Sequence, residues 1–254
     1  MRHFTIHHDG VTIPVSRGGH GRALVLCPGL NSTQAHLHEL AGLLRRDHDV
    51  VTFDLRGHGL ASAADRYSFE AFLSDLAAVM ADLEAAPVLV GYSLGADLAV
   101  HHASRHPGTV AGLVLIDGAN PTPEPFISES VLPQFRAMWD DLAAQQETQR
   151  GTARQVLLTG RQILDLNLEI DTIRSGILDQ YRKIDRPIHM IMSTAMAGVD
   201  HAQSFNRNWR AGVERLVREQ PHITTSWLDA DHQLVFTHAQ EVARIIRDTR
   251  VVEG

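Results

Sequence analysis

The chain has 254 residues, 44% hydrophobic and 21% charged, with a formal net charge of -7 and no dense run of Lys or Arg. This is the composition of a globular protein rather than a disordered or fibrous one, and it argues against nucleic acid or an anionic membrane as a main partner. Cys27 is the single cysteine, so no intramolecular disulfide can form; the first ten residues lack a signal-peptide core and no apolar run is long enough to span a bilayer, so the expectation is a cytoplasmic protein.

In chain order, a strand is predicted over residues 11–15, then a hairpin turn at Gly18-Gly19-His20-Gly21, which lacks the Lys-Ser/Thr of a phosphate loop. A strand at 23–26, a helix at 33–46, a strand at 50–53 and a helix at 69–85 follow. A strand at 88–90 leads into a helix at 94–105, and a further strand is predicted at 113–116. Beyond Asp117 the rhythm changes. Pro121-Thr122-Pro123-Glu124-Pro125 is a stiff connector, and residues 126–183 read as several helices with no convincing strand. Strands at 188–192 and 224–228 and helices at 203–218 and 239–248 close the chain, with Ser204 or Asp200 available to cap the first helix and Thr237 the second. Short apolar strands alternating with helices define an α/β class with a mostly parallel sheet. The core is expected over 1–120 and 184–254, with 121–183 inserted as a helical cap.

Gly91-Tyr92-Ser93-Leu94-Gly95 sits between a predicted strand and a predicted helix, the setting a Gly-x-Ser-x-Gly turn needs to expose a serine hydroxyl. Such a turn is so tight that only small residues fit two positions either side of the serine, and the following helix start points free N–H groups at developing negative charge. Ser93 is therefore the candidate nucleophile. A serine hydroxyl needs a base, and the chain order serine, acid, histidine puts that base near the end: His232, after the last strand, with His238 the rival. Two aspartates fall between them at sheet ends. Asp117 could instead form a turn with Gly118 and Asn120, and Asp200 could instead cap a helix. Asp231 abuts the histidine and is poorly placed to orient its ring. An oxyanion hole would take one N–H from Leu94 and a second from Leu30, beside Gly29. Cys27, with no base near it in sequence, reads as a packing residue.

The 16 histidines invite a metal reading, but His7-His8, His36-Leu-His38 and His101-His102 match no ligand spacing, so they read as surface histidines and no metal is expected.

Cys27-Pro28-Gly29-Leu30, Asp54-Leu55-Arg56-Gly57-His58-Gly59, Gly91-Tyr92-Ser93-Leu94-Gly95 and Asp231-His232 occur in an order and spacing that resembles the α/β-hydrolase superfamily, over nearly the whole chain apart from the cap. The resemblance implies a serine hydrolase with an eight-stranded, mostly parallel sheet, a cap over the active site and no cofactor. Pro28-Gly29 replaces the usual His-Gly, which is tolerable where the donor is a backbone group. The loop that often carries the acid reads Ser193-Thr194-Ala195-Met196-Ala197-Gly198-Val199-Asp200, with its aspartate late, so the resemblance favours Asp117, as in some branches, with Asp200 the alternative. A serine at position 93 speaks against the dehalogenase and epoxide hydrolase reactions, which use an aspartate there.

The leading expectation is hydrolysis of an ester or thioester of a small apolar substrate, with Phe135, Met138, Trp139 and Leu142 of the cap as pocket candidates or simply cap core. The alternatives are a carbon–carbon bond hydrolase or lyase on the same scaffold, and a non-catalytic ligand receptor. The expected partner is a small molecule, with monomer and homodimer both open.

Overall fold

The computed structural model describes residues 1–196, 202–249 and 251. Among them, eight strands form one sheet: β1 (Arg2–His8), β2 (Val11–Gly18), β3 (Arg22–Cys27), β4 (His48–Phe53), β5 (Val88–Tyr92), β6 (Gly112–Ile116), β7 (Ile188–Ala195) and β8 (Thr224–Asp231), in the order β1-β2-β4-β3-β5-β6-β7-β8. The β1/β2 and β2/β4 pairs are antiparallel and the other five are parallel. The helices are α1 (His38–Leu44), α2 (Phe69–Ala81), α3 (Leu94–Arg105), α4 (Leu132–Gln146), α5 (Gly160–Ser175), α6 (Ile177–Tyr181), α7 (Ala202–Glu219), α8 (Leu234–Thr237) and α9 (Ala239–Asp248).

Strand alternation sorts the core into two layers. On β3, Leu24 and Leu26 join the cluster that packs against Leu40 and Leu44 of α1 and Val242 and Ile246 of α9. Val25 and Cys27 face the opposite layer, with Phe72 and Leu76 of α2 and Leu98 and Ala99 of α3. Both layers are fully buried, as the near-continuous apolar runs of the central strands require.

The sequence reading missed β1. It is an edge strand, and its residues run from exposed to half-buried, with Phe4 and Ile6 packed on the core. The Asp9-Gly10 turn that joins it to β2, both residues at positive φ, is a hairpin signal the sequence carried. The Gly18–Gly21 segment is a turn but not a hairpin: it carries the chain past β4, which inserts between β2 and β3. The helix predicted from residue 33 begins only at His38, because Thr33 and Gln34 spend their polar groups elsewhere. Gln34 binds Asp54, the carbonyl of Pro14 and Thr52, while Thr33 binds the ring of His36.

Thr237 is not the cap of α9: it ends α8, and its hydroxyl donates to the carbonyl of Gln233. Ser204 lies inside α7 rather than ahead of it. His101 and His102 are buried in α3, not on the surface, His101 with its ring against Phe69 at 4.9 Å. Between β6 and β7 the chain builds α4, a single 3-10 turn, α5 and α6. Thr159 and Gln162 form a reciprocal capping box at the start of α5, and α4 buries none of its residues completely.

Candidate active site

β5 runs down the middle of the sheet and ends at Tyr92, and α3 starts at Leu94, so Ser93 alone makes the turn, at φ 52° and ψ -121°. Positive φ is uncommon for a residue with a side chain and marks local strain. The flanking glycines permit it: a Cβ on Gly91 would strike the carbonyl of Gly95, and one on Gly95 would strike the carbonyl of Cys27.

His232 follows β8 directly. Its Nε2 lies 3.0 Å from Ser93 Oγ and its Nδ1 2.8 Å from Asp117 Oδ2. Asp117, the residue after β6, also sits at positive φ and is completely buried. Besides His232 it accepts hydrogen bonds from the Ser193 backbone N–H (2.8 Å), Ser193 Oγ (2.7 Å) and Trp209 Nε1 (3.2 Å). An ionised carboxylate only accepts, so the bond to Asp117 fixes the proton on Nδ1 and leaves Nε2 a lone pair facing the Ser93 hydroxyl.

Asp200, the alternative acid, lies outside the described residues. Asp231 is exposed and caps the Gln233 N–H, and His238 bonds Thr237. Cys27 is buried, and burial pushes its thiol pKa up, which leaves it a protonated packing group.

Several neighbours were given no role by the sequence, although Arg56, His58 and Tyr92 lie in motifs that it singles out. Tyr92 donates its hydroxyl to the His232 carbonyl at 2.8 Å, with its ring 5.2 Å from the imidazole. Ser193 and Trp209 clamp Asp117. His58, fully buried, places Nδ1 2.9 Å from the Arg56 carbonyl and accepts the Asn31 N–H on Nε2 at 3.2 Å, which ties down the loop carrying Leu30. Arg56 in turn is held by both oxygens of the buried Asp75. The Arg-Gly-His-Gly segment thus braces the loop opposite Ser93. Among the described residues, the N–H groups of Leu30 and Leu94 have no acceptor, and both residues line the same cavity as Ser93.

That cavity holds about 710 Å³, the size of a small organic ligand. Ser93, His232, Tyr92 and Phe236 bound it on the sheet side; Phe135, Met138, Trp139 and Leu142 of α4 bound it opposite. No residue of α4 is fully buried, and Trp139 both lines this space and packs against the core. Phe126, Phe135 and Phe205 cluster at centroid distances of 4.7 to 6.1 Å. Among the described residues no group of three His, Cys, Asp or Glu side chains could hold a metal ion.

A mostly parallel eight-stranded sheet, with a serine in a strained strand-to-helix turn at its centre and a histidine beyond the last strand, defines an α/β-hydrolase fold. Residues 24–245 match the model of the alpha/beta hydrolase family, and the chain belongs to that family. It is similar to 2-(acetamidomethylene)succinate hydrolase of Mesorhizobium japonicum, 27% identical over 187 residues that cover 73% of this chain and 64% of that protein. It is also similar to the sn-1-specific diacylglycerol lipase ABHD11 of Xenopus laevis, 28% identical over 139 residues that cover 54% of this chain and 44% of that protein. The match thus spans less than two thirds of either relative. An esterase from Exiguobacterium antarcticum shares the fold at a TM-score of 0.75, with 16% identity and coverage of 96% of this chain and 97% of that one. No helix among the described residues is long and apolar enough to cross a membrane.

Proposed function

We propose that this chain is a serine hydrolase that cleaves an ester or thioester of a small, largely apolar substrate through an acyl-enzyme on Ser93. The observation that carries the reading is the unbroken hydrogen-bond chain from Ser93 through His232 to the buried Asp117. In this mechanism His232 Nε2 takes the Ser93 proton as Oγ attacks the carbonyl carbon, and the leaving oxygen or sulfur then receives that proton from His232. Water, deprotonated by the same nitrogen, then attacks the acyl carbonyl, and that proton passes to Ser93 Oγ as the acid leaves. Asp117 holds the imidazole tautomer and stabilises its cation. The Leu30 and Leu94 N–H groups receive the oxyanion, each such donor being worth about 10²–10³ in rate. Residues 121–183 act as a cap whose aromatic and methionine side chains surround the acyl or leaving group. The relatives' names, a lipase acting on diacylglycerol and a hydrolase acting on a substituted succinate, support hydrolysis in general and do not choose the substrate.

The test is pre-steady-state hydrolysis of p-nitrophenyl butyrate, followed by intact-mass measurement of quenched enzyme. A burst of nitrophenolate near one equivalent, with a butyryl mass gain absent from Ser93→Ala, supports the mechanism. Turnover without any acyl-enzyme in either phase, or equal turnover by Ser93→Ala, refutes it.

A further inference from the structure

The cavity is apolar over most of its wall, yet two charged side chains of α5, Asp171 and Arg174, also line it. They are not equivalent. The Arg174 guanidinium is committed to the completely buried Asp97 of α3, with Nε 2.9 Å from Oδ1 and Nη2 2.6 Å from Oδ2. Such a two-pronged pair neutralises the cation. Asp171 makes no ion pair within 4 Å among the described residues. Its Oδ2 accepts the Ile127 N–H at 2.8 Å, and the Phe126 N–H also points at the carboxylate. Among the described residues, Asp97, Arg174 and Asp171 together leave one carboxylate in excess at this end of the cavity. Among the described residues, the other titratable groups on the wall are His36, Tyr92 and His232. His36 is held below the usual histidine range by burial and by Arg154, so it supplies no compensating charge near neutrality. Burial also pushes the Asp171 carboxyl above its ordinary range, and Asp97 adds to that, although the Ile127 and Phe126 N–H groups and Arg174 oppose it.

The aromatic lining adjoins this carboxylate through Phe126. The Phe126 backbone reaches Asp171, while its ring packs on Phe205 at 4.7 Å and stands 6.0 Å from Phe135. Aromatic faces beside one carboxylate are the chemistry that recognises an organic cation: the ring quadrupoles attract the charge and the carboxylate pairs with it. A carboxylate ligand would meet Asp171 as a like charge and find Arg174 already taken.

From this juxtaposition we infer that the cavity selects substrates bearing a cationic group, an ammonium on an otherwise apolar or aromatic body, with Asp171 as the anchor and the Phe126, Phe135 and Phe205 cluster beside it. The inference rests on the reading of this cavity as the substrate pocket and deepens it: the substrate class is an amine-bearing ester or thioester rather than an acidic one.

The test separates binding from turnover. Isothermal titration on Ser93→Ala, which cannot acylate, compares 3-phenylpropylammonium, 3-phenylpropanol and 3-phenylpropanoate. The expected result is ammonium tightest, by about tenfold over the alcohol, with the carboxylate weakest. Asp171→Asn in the same background keeps an acceptor for the Ile127 N–H and should abolish the preference for ammonium over alcohol. Equal binding of the three, no binding of any, or an ammonium preference that survives folded Asp171→Asn overturns the inference. Preference for the carboxylate also overturns it, and assigns the anchor to Arg174. Should Asp171→Asn fail to fold, the ordering of the three ligands and loss of the ammonium preference in high salt decide the matter. An ammonium preference in a protein that never turns over esters would leave this inference standing and sink the hydrolase mechanism; ester turnover with no charge preference would do the reverse.

Discussion

Replacing Asp117 by Asn exchanges one oxygen for an NH2 group and reverses two hydrogen bonds. The asparagine oxygen can remain at the Oδ1 position, where the Ser193 N–H and Trp209 Nε1 donate, so the amide nitrogen takes the Oδ2 position between Ser193 Oγ and His232 Nδ1. Ser193 adapts by rotating its hydroxyl to accept. The imidazole has to present a lone pair at Nδ1, which moves its proton to Nε2 and leaves Ser93 without a base. A wrong tautomer costs about 10⁴ in kcat, equivalent to about 5 kcal/mol of transition-state stabilisation. Stability should fall far less, by about 1–3 kcal/mol, because the remaining oxygen keeps its donors and the bonds to Ser193 Oγ and His232 are reversed rather than lost. The assay is steady-state hydrolysis of p-nitrophenyl butyrate beside urea denaturation of the same preparation. Folded Asp117→Asn with kcat within about tenfold of the parent would refute this account of the acid and turn attention to Asp200.

Tyr92→Phe removes the bond to the His232 carbonyl but keeps the ring; it should lower stability by about 1 kcal/mol and kcat several-fold, with KM little changed, measured on the same ester. His58→Ala frees the Asn31 N–H and the loop that carries Leu30; kcat should drop roughly 10- to 100-fold, and an unchanged kcat in folded protein would remove His58 from the positioning of that loop. Gly95→Ala drives a Cβ into the Cys27 carbonyl; it should cost upward of about 2 kcal/mol and slow Ser93 acylation, both read by thermal melting and burst kinetics. Acid should destabilise the fold through buried neutral histidines. Burial holds His58 and His102 down to about 4, so the unfolded chain binds protons below about pH 6.5 that the native state refuses, and stability falls as pH drops from that value towards 4. Between pH 7 and pH 5 each contributes up to about 2 kcal/mol, and urea midpoints that stay level across that range would contradict the assignment.

How far the sequence reaches depends on whether a feature is local. The Ser93 turn is written in five consecutive residues between a Val-rich strand and a helix, so its geometry could be expected before the fold was known. His232 is legible from order along the chain, and Asp117 from its place at the end of β6, although only the three-dimensional structure brings it within 2.8 Å of His232. The clamps on these residues are not local: Ser193 and Trp209 lie 76 and 92 positions from Asp117, and Tyr92 reaches a carbonyl 140 positions away. No periodicity or spacing carries such pairings. The early part of the helix predicted at 33–46 failed for a related reason, since Gln34 is drawn off by Asp54 twenty positions away. The charge balance at Asp171 was equally invisible, because it depends on Arg174 being spent on Asp97 across 77 residues.

The most direct test of the central claim is labelling with a fluorophosphonate probe followed by peptide mapping. The account predicts near-stoichiometric modification of Ser93 alone, lost in Ser93→Ala and strongly slowed in Asp117→Asn. Well-folded protein that remains unlabelled, or that carries the label on another residue, would contradict it.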